Sequence, residues 1–310
     1  MPTDAISDKR FAIVFVPYLQ NLSTLPLAPA VLNAILVDAG ASNIKFHDAN
    51  LSYQEMLEQA APEVSQELFR FSQSSSCYRL SAQAASEYYE WLNKTVGAIL
   101  KNDPTHVLIS VFSFLGQKFT EDICFMVKEK APQVHITVGG QGANVMLSDL
   151  NKYWFRELVD SALIDCATVG DAELTLLNAI NSSKQVIQAD QQTNKQLSDS
   201  LTPNLSIFDN LNYYKRFGEL TVPITFSKGC IKKCVFCDVE AQWPKFRVAT
   251  GLSTADKIAA ISNEHNVKQF YFTDNLVNGN CKELRMLCNK LIELNNNLKL
   301  SGNFIFRSER

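Results

Sequence analysis

The chain has 310 residues, of which 46% are hydrophobic and 20% charged, and its formal net charge is -3. This charge balance gives no broad basic surface for nucleic acid or anionic lipid, and no apolar run reaches the roughly 20 residues that cross a bilayer. The first apolar run, residues 11–16, follows two Asp and ends at Pro17, unlike a secretory signal. We therefore expect a cytoplasmic protein that binds neither nucleic acid nor membrane and is long enough for two domains.

The first half of the chain alternates short apolar runs with helical patterns. Five runs rich in Val, Ile and Phe are continuous rather than alternating, which is typical of strands buried on both faces. These runs are residues 11–16, 43–48, 106–111, 134–140 and 164–170. Strands and helices at this spacing predict an α/β domain over residues 1–182, built on a doubly wound parallel sheet.

Two segments depart from this alternation. Residues 54–102 are too long for a simple crossover and predict an inserted pair of helices, at 55–71 and 81–102. From residue 183 the composition changes, with five Gln between 185 and 196 and few large apolar residues. This change predicts a linker over residues 183–220.

A second series of strands and helices follows the linker. Strands are predicted at 222–229 and 267–274, and a third within 298–307, with helices at 254–265 and 281–294. Residues 221–310 are therefore expected to form the first part of a (β/α) barrel. Because a complete barrel needs more βα units than this segment holds, we expect the chain to belong to a longer protein, or to be half of a split protein whose partner chain completes the barrel.

Three of the 8 cysteines, Cys230, Cys234 and Cys237, follow the first predicted barrel strand with the spacing CxxxCxxC. Thiolates are the usual ligands of iron–sulfur clusters and also bind zinc. A structural zinc site normally has four ligands in two pairs, and no second CxxC follows here. Cys281 and Cys288 lie seven residues apart on an apolar helical pattern and are expected to be core residues. Because three ligands leave one coordination position open, the spacing favours a reactive metal centre over structural zinc.

This motif, with an aromatic residue before its last cysteine and a βα series around it, resembles that of the radical S-adenosylmethionine (radical SAM) superfamily. It reads Cys230-Ile-Lys-Lys-Cys234-Val-Phe236-Cys237. The resemblance implies a 4Fe–4S cluster bound by the three cysteines, whose fourth iron is chelated by the amino and carboxyl groups of SAM. It also implies that Phe236 lies near the adenine.

Further SAM contacts are expected at the carboxyl ends of the barrel strands, where βα barrels carry their chemistry. Asp274 and Asn275 end the second predicted strand, and Arg307 ends the third. The superfamily often has a Gly-Gly-Glu stretch here that binds the SAM amino group. This chain lacks it, so the resemblance implies that Asp274 or Asn275 substitutes. Arg307 is interpreted either as a partner for a carboxylate or as a solvated charge, and no catalytic residue is assigned.

An α/β domain ahead of such a barrel resembles the cobalamin-binding domain of cobalamin-dependent radical SAM enzymes. In open α/β sheets the ligand lies beyond the carboxyl ends of the strands, where Ser113, Gly139, Gly140 and Gly170 would let a large flat cofactor approach the backbone. Other cobalamin modules carry Asp-x-His-x-x-Gly, in which the His binds cobalt. None of the four His here follows an Asp at that spacing, so any bound cobalamin would lack this ligand.

The leading hypothesis is therefore a cobalamin-dependent radical SAM enzyme. The resemblance implies that it cleaves SAM, takes a hydrogen atom from an unactivated carbon and transfers a methyl group, as a C-methyltransferase does. Its partners would be a small-molecule or peptide substrate and an external one-electron reductant. Two alternatives remain: a radical SAM enzyme with a vestigial N-terminal domain that binds no cobalamin, and a non-catalytic cofactor-binding fragment.

Overall fold

The computed structural model describes residues 6–18, 22–74, 78–144, 154–183, 185–189, 201–237, 239–243 and 245–298. The chain divides into two units. The first consists of Met1–Gln20 and Ile35–Ala189, and the second of Asn21–Ala34 and Asp190–Arg310. The segment that follows the first strand thus groups with the C-terminal unit, whereas the sequence predicted that residues 1–182 would stay together.

The first unit is built on a six-stranded sheet in the order β2-β1-β3-β4-β5-β6. Every neighbouring pair is parallel, so the predicted α/β parallel sheet is confirmed. The order reverses direction between β1 and β3, and this reversal is the switch point beyond which open α/β sheets bind ligands. The strands are β1 Arg10–Phe15, β2 Asn43–Asp48, β3 His106–Ser110, β4 His135–Gly139, β5 Cys166–Val169 and β6 Gln185–Gln188.

Strand β6 corrects the predicted linker. Gln185–Gln188 pairs in parallel with β5, although this segment was assigned to the linker because it is rich in Gln. The two Gln side chains are exposed, while Val186 and Ile187 are half-buried. An edge strand needs only part of its surface to be apolar, so its composition resembles that of a linker.

Helices cover the sheet, and the segment between β2 and β3 holds three of them rather than the predicted two. Pro62, at the first position of α3, has no N–H to donate and a φ suited to a helix start, so α2 ends just before it. Tyr53, Trp91 and Phe119 pack edge to face with centroids 5.0–6.0 Å apart and join these helices to the core of the sheet. The helices up to β6 are α1 Leu27–Asp38, α2 Ala49–Gln59, α3 Pro62–Gln73, α4 Ala82–Leu100, α5 Gln117–Lys130, α6 Trp154–Asp160 and α7 Ala172–Ala179.

The second unit contains the predicted start of a βα series. Its parallel strands β7 and β10 pair from Thr221↔Gln269 to Ile224↔Phe272. The predicted strand 222–229 is interrupted, because β7 ends at Ile224 and Ser227–Lys228 form a separate antiparallel ladder with β9. The elements are α8 Leu211–Lys215, β7 Thr221–Ile224, β8 Ser227–Lys228, α9 Val239–Gln242, β9 Arg247–Val248, α10 Gly251–His265, β10 Gln269–Phe272 and α11 Cys281–Leu298.

The other edge of β7 pairs with the segment that follows β1. Thr24 and Thr221 form a parallel bridge. The Leu25 N–H donates to the Thr221 carbonyl at 3.0 Å, and the Thr221 N–H donates to the Ser23 carbonyl at 3.1 Å. These bonds account for the grouping of residues 21–34 with the second unit.

The predicted third barrel strand, with Arg307, falls on residues 299–310, which lie outside the described residues; Leu298 is the last residue of α11. Over the ranges that the structure describes, no helix combines the length and apolarity that a bilayer span requires.

Candidate functional site

The three motif cysteines lie on a loop whose two ends are held together. This cysteine loop, residues 229–246, leaves β8 and returns as β9, with Ser227 paired to Val248 and Lys228 to Arg247. Gly229 has a φ of 82°, and a Cβ added to it would lie 2.7 Å from the Lys245 carbonyl oxygen. Only glycine fits where the outgoing and returning chains meet, so the loop is closed at its base.

The cysteines themselves are accessible. Cys230 is half-buried, and Cys234 and Cys237 are exposed. The Lys232 N–H donates to the Cys230 Sγ at 3.3 Å. The Cys237 N–H donates to the Cys234 carbonyl at 3.0 Å and forms a turn.

The chemistry of this donor set fits a 4Fe–4S cluster, since three thiolates on one loop leave an iron free for another ligand. In the described part of the chain, however, no three His, Cys, Asp or Glu side chains converge as a metal site. The three donor residues therefore lie on one loop, but their sulfur atoms are not close enough together to bind one metal centre as they stand.

Apolar side chains on the cysteine loop point into solvent. Phe236 is 90% exposed, and Ile231 and Val235 are exposed as well. Large apolar residues crowded at one exposed place usually mark a binding surface. Phe236, predicted to contact the adenine, is thus accessible to a ligand.

Asp274, a predicted SAM ligand, lies against the start of the cysteine loop. Its carboxylate accepts hydrogen bonds from the backbone N–H groups of Phe226, at 3.3 Å, and of Ser227. Burial raises the pKa of Asp274 to about 6, while hydrogen bonds from Ser227 and the backbone act in the opposite direction. Asn275, the other predicted SAM ligand, is exposed. The roles of both residues toward SAM stay predictions.

The return of the cysteine loop is fixed by α11, a contact that the sequence did not indicate. Glu283 accepts the Gly251 N–H at 2.8 Å, and a Cβ on Gly251 would overlap the Glu283 carbonyl. Thr250, just before Gly251, caps α10 by accepting the Ser253 N–H at 3.2 Å.

The expectation that Cys281 and Cys288 are core residues is wrong. Cys281 is the exposed first residue of α11, and Cys288 is only half-buried. The buried face of α11 is formed by Leu287 and Leu291, four residues apart. Cys288 is one residue beyond Leu287 and therefore lies beside this face rather than on it.

The residues predicted for cobalamin lie at the carboxyl ends of β3, β4 and β5: Gly139 is the last residue of β4, and Ser113, Gly140 and Gly170 follow the ends of β3, β4 and β5. The Ser113 hydroxyl accepts the Leu115 N–H at 3.3 Å. A Cβ on Gly139 would overlap the Thr168 hydroxyl, and one on Gly140, whose φ is 111°, would lie 2.5 Å from the Val111 carbonyl oxygen. Close packing against strand β5 at Gly139, and against the backbone after β3 at Gly140, thus already explains these two glycines. Gly170, with a φ of 95°, follows β5.

Aromatic side chains at the switch point were not predicted. Phe112 and Phe114, just after β3, are 52% and 47% exposed. Tyr18, after β1, lies 4.8 Å from Phe112 between ring centroids, and its N–H donates to the Asn50 side chain at 2.8 Å. Burial, with a contribution from Asp48, raises the pKa of Tyr18 to about 12. We call Tyr18, Phe112 and Phe114 the aromatic edge; its sequence signal was two Phe directly after a buried strand.

The solved structures that share this fold include two of the radical SAM methyltransferase TsrM from Kitasatospora setae. The structure with tryptophan substrate and the SAM analogue aza-SAM has a TM-score of 0.57, 16% identity and coverage of 93% of this chain and 52% of TsrM. The structure with cobalamin and a [4Fe-4S] cluster has a TM-score of 0.54, 16% identity and coverage of 93% and 53%. The chain thus spans about half the length of TsrM. At this identity the likeness is one of fold.

No protein-family model matches the chain, and no curated protein matches it in sequence.

Proposed function

We propose that this chain acts in a radical SAM enzyme that also uses cobalamin and transfers a methyl group to carbon. The observation that carries the proposal is the CxxxCxxC loop at the carboxyl end of the first strand of a βα series. Chemistry in βα barrels is located at that end. The fold shared with TsrM over 93% of the chain supports it.

Cys230, Cys234 and Cys237 would hold the 4Fe–4S cluster as thiolates, and the Lys232 N–H donates a hydrogen bond to the Cys230 sulfur. Phe236 is available to cover the adenine of SAM. We assign contact with the SAM amino group to Asn275, because its amide oxygen can accept from an ammonium group and its side chain is exposed. When bound, the cofactors would pass on an electron from an external reductant and supply the radical and the methyl group, while the protein orients them and excludes water.

Cobalamin would lie beyond the switch point of the first unit, against the aromatic edge. Exposed Phe112 and Phe114 offer apolar contacts to a large flat ring, and Ser113 between them offers a hydroxyl. His106 and His135 stand at the amino ends of β3 and β4, the opposite end of the sheet. Neither can therefore bind cobalt there, in agreement with the missing Asp-x-His-x-x-Gly motif.

The experiment is anaerobic reconstitution of the 310-residue chain with iron and sulfide. Cobalamin is then added, and the unbound cofactor is removed by desalting. Retained iron and sulfide, a cluster absorption spectrum and cleavage of SAM to 5′-deoxyadenosine in the presence of a one-electron reductant are the expected results. A chain that retains no iron overturns the proposal. Retained iron without cobalamin favours the alternative of a vestigial first domain, and cofactors without SAM cleavage favour a non-catalytic binding role. The substrate, a small molecule or a peptide, and a cytoplasmic location belong to the same proposal.

A further inference from the structure

The carboxylate of Asp274 joins the ends of two neighbouring barrel strands. Asp274 follows β10, and Phe226 and Ser227 follow β7. The Asp274 carboxylate accepts hydrogen bonds from the backbone N–H groups of both residues. One oxygen, Oδ2, serves Phe226, and the other, Oδ1, serves Ser227. Cys230 stands three residues beyond Ser227, which limits its reach from this point to about 10 Å.

Further polar contacts connect the same two segments. The Ser227 hydroxyl donates to the Leu276 carbonyl at 3.0 Å, and the hydroxyls of Thr225 and Thr273 lie 2.9 Å apart. Phe226 and Ser227 are buried, whereas Cys234 and Cys237 are exposed. The cysteine loop therefore begins at a fixed point and becomes accessible only after it.

A carboxylate suits this position better than a neutral side chain. Two consecutive N–H groups that point the same way form a small anion-binding concavity. An ionised Asp supplies two acceptor oxygens, whereas Asn supplies only one. Hydrogen bonds to a charged acceptor are also stronger than neutral ones.

We propose that Asp274 is a positioning residue, which fixes the start of the cysteine loop and thereby the place of Cys230. The inference rests on the proposed function, in which Cys230 binds one iron of the cluster. Asp274 acts through Phe226 and Ser227, and contact with SAM is left to Asn275.

The test compares Asp274→Ala, Asp274→Asn and the neighbouring control Asn275→Ala with the wild-type 310-residue chain, first without cofactors. Hydrogen exchange at the Phe226 and Ser227 amides is expected to be about tenfold faster in the Ala variant, because both lose a charge-assisted hydrogen bond. In the Asn variant, one amide keeps an acceptor and only the other should accelerate. Asn275→Ala should match wild type at both amides.

Alkylation by iodoacetamide gives a second readout in the same cofactor-free chains. Cys230 is expected to react fastest in Asp274→Ala, more slowly in Asp274→Asn and slowest in wild type. Half-buried Cys288, in the same unit, should react at the same rate in all three chains. Unchanged exchange and unchanged Cys230 reactivity in Asp274→Ala overturn the inference. Equal acceleration of Cys288 in both Asp274 variants overturns it too, because general unfolding rather than positioning would then explain the change.

Reconstitution separates this inference from the proposed function. If wild type takes up no iron, the proposed function fails, and the exchange and alkylation results alone decide the role of Asp274. If wild type forms a cluster, EPR spectra of the reduced cluster are compared before SAM is added. The spectra of both Asp274 variants should differ from that of wild type, whereas the spectrum of Asn275→Ala should not. Identical cluster spectra in all four chains would overturn the positioning role.

Discussion

His106 on β3 stands directly opposite His135 on β4, and the centroids of their rings lie 5.0 Å apart. Nε2 of His106 lies 3.0 Å from the Ile180 carbonyl oxygen, and Nε2 of His135 lies 2.7 Å from that of Ser182. Because a carbonyl oxygen only accepts, each Nε2 must carry a hydrogen. The two rings therefore tie the chain that leaves α7 to the amino ends of two central strands.

His106 predicts a loss of stability on acidification. Burial lowers the pKa of His106 to about 4, His135 and Lys9 add to the effect, and the Ile180 carbonyl and Asp165 oppose it. The pKa of an unfolded-state His is about 6.5, so the unfolded chain binds more protons below that pH. The stability that the lowered pKa of His106 contributes is therefore fully present above about pH 6.5, and it is lost as the pH falls toward about 4. Between about pH 7.5 and about pH 5, the free energy of unfolding should fall by on the order of 2 kcal/mol.

Urea unfolding, followed by pulsed hydrogen exchange of β3 and β4 at the two pH values, measures this change. His106→Gln retains an amide N–H for Ile180 but cannot be protonated, so it should show a smaller loss than wild type. His265→Gln, in α10, should leave the loss intact. An undiminished loss in His106→Gln would contradict the assignment to His106.

The cysteine motif predicts an all-or-none effect on the cluster. Each of the changes Cys230→Ala, Cys234→Ala and Cys237→Ala should remove iron and SAM cleavage, because each thiolate holds one iron. Cys281→Ala and Cys288→Ala should retain both. Iron and sulfide are measured after reconstitution, and undiminished iron in Cys234→Ala would refute the ligand assignment.

The aromatic edge predicts where cobalamin binds. Replacing Phe112 and Phe114 together by Ala removes apolar surface that the cofactor would cover, so the Kd for cobalamin should rise about tenfold or more, with the iron content unchanged. Phe125→Ala is the matched control, because Phe125 is 63% exposed on α5. Equal cobalamin retention by the double variant and the control would argue against this placement. Gly140→Val tests it poorly, since the new side chain would strike the Val111 carbonyl whether or not cobalamin binds.

How much of this molecule the sequence predicts depends on the range of the contacts involved. Strands buried on both faces leave continuous apolar runs, and the first five strands were predicted within two residues of their bounds. Edge strand β6 was missed because its Gln residues face solvent. The cysteine loop is a local motif and was located correctly. The contact of Asp274 with Ser227 spans 47 residues and leaves no periodic signal, so Asp274 was interpreted only as a ligand.

The pairing of Ser23–Leu25 with β7 was equally invisible in the sequence, since it joins residues almost 200 positions apart. It covers one edge of β7, which would otherwise present unpaired N–H and C=O groups to another chain. Leu25 is also 2% exposed, so its side chain belongs to a core and its backbone to the sheet.

We therefore predict that Leu25→Ala destabilises the second unit by about 2–4 kcal/mol, because a buried side chain is lost while the backbone bonds to Thr221 remain possible. Hydrogen exchange of the β7 amides reports this loss, and light scattering reports association through the uncovered edge. Val37→Ala, at an exposed position of α1, should cost less than about 0.5 kcal/mol and leave β7 protected. If Leu25→Ala leaves the exchange of β7 as slow as Val37→Ala does, the segment after β1 does not stabilise the first barrel strand.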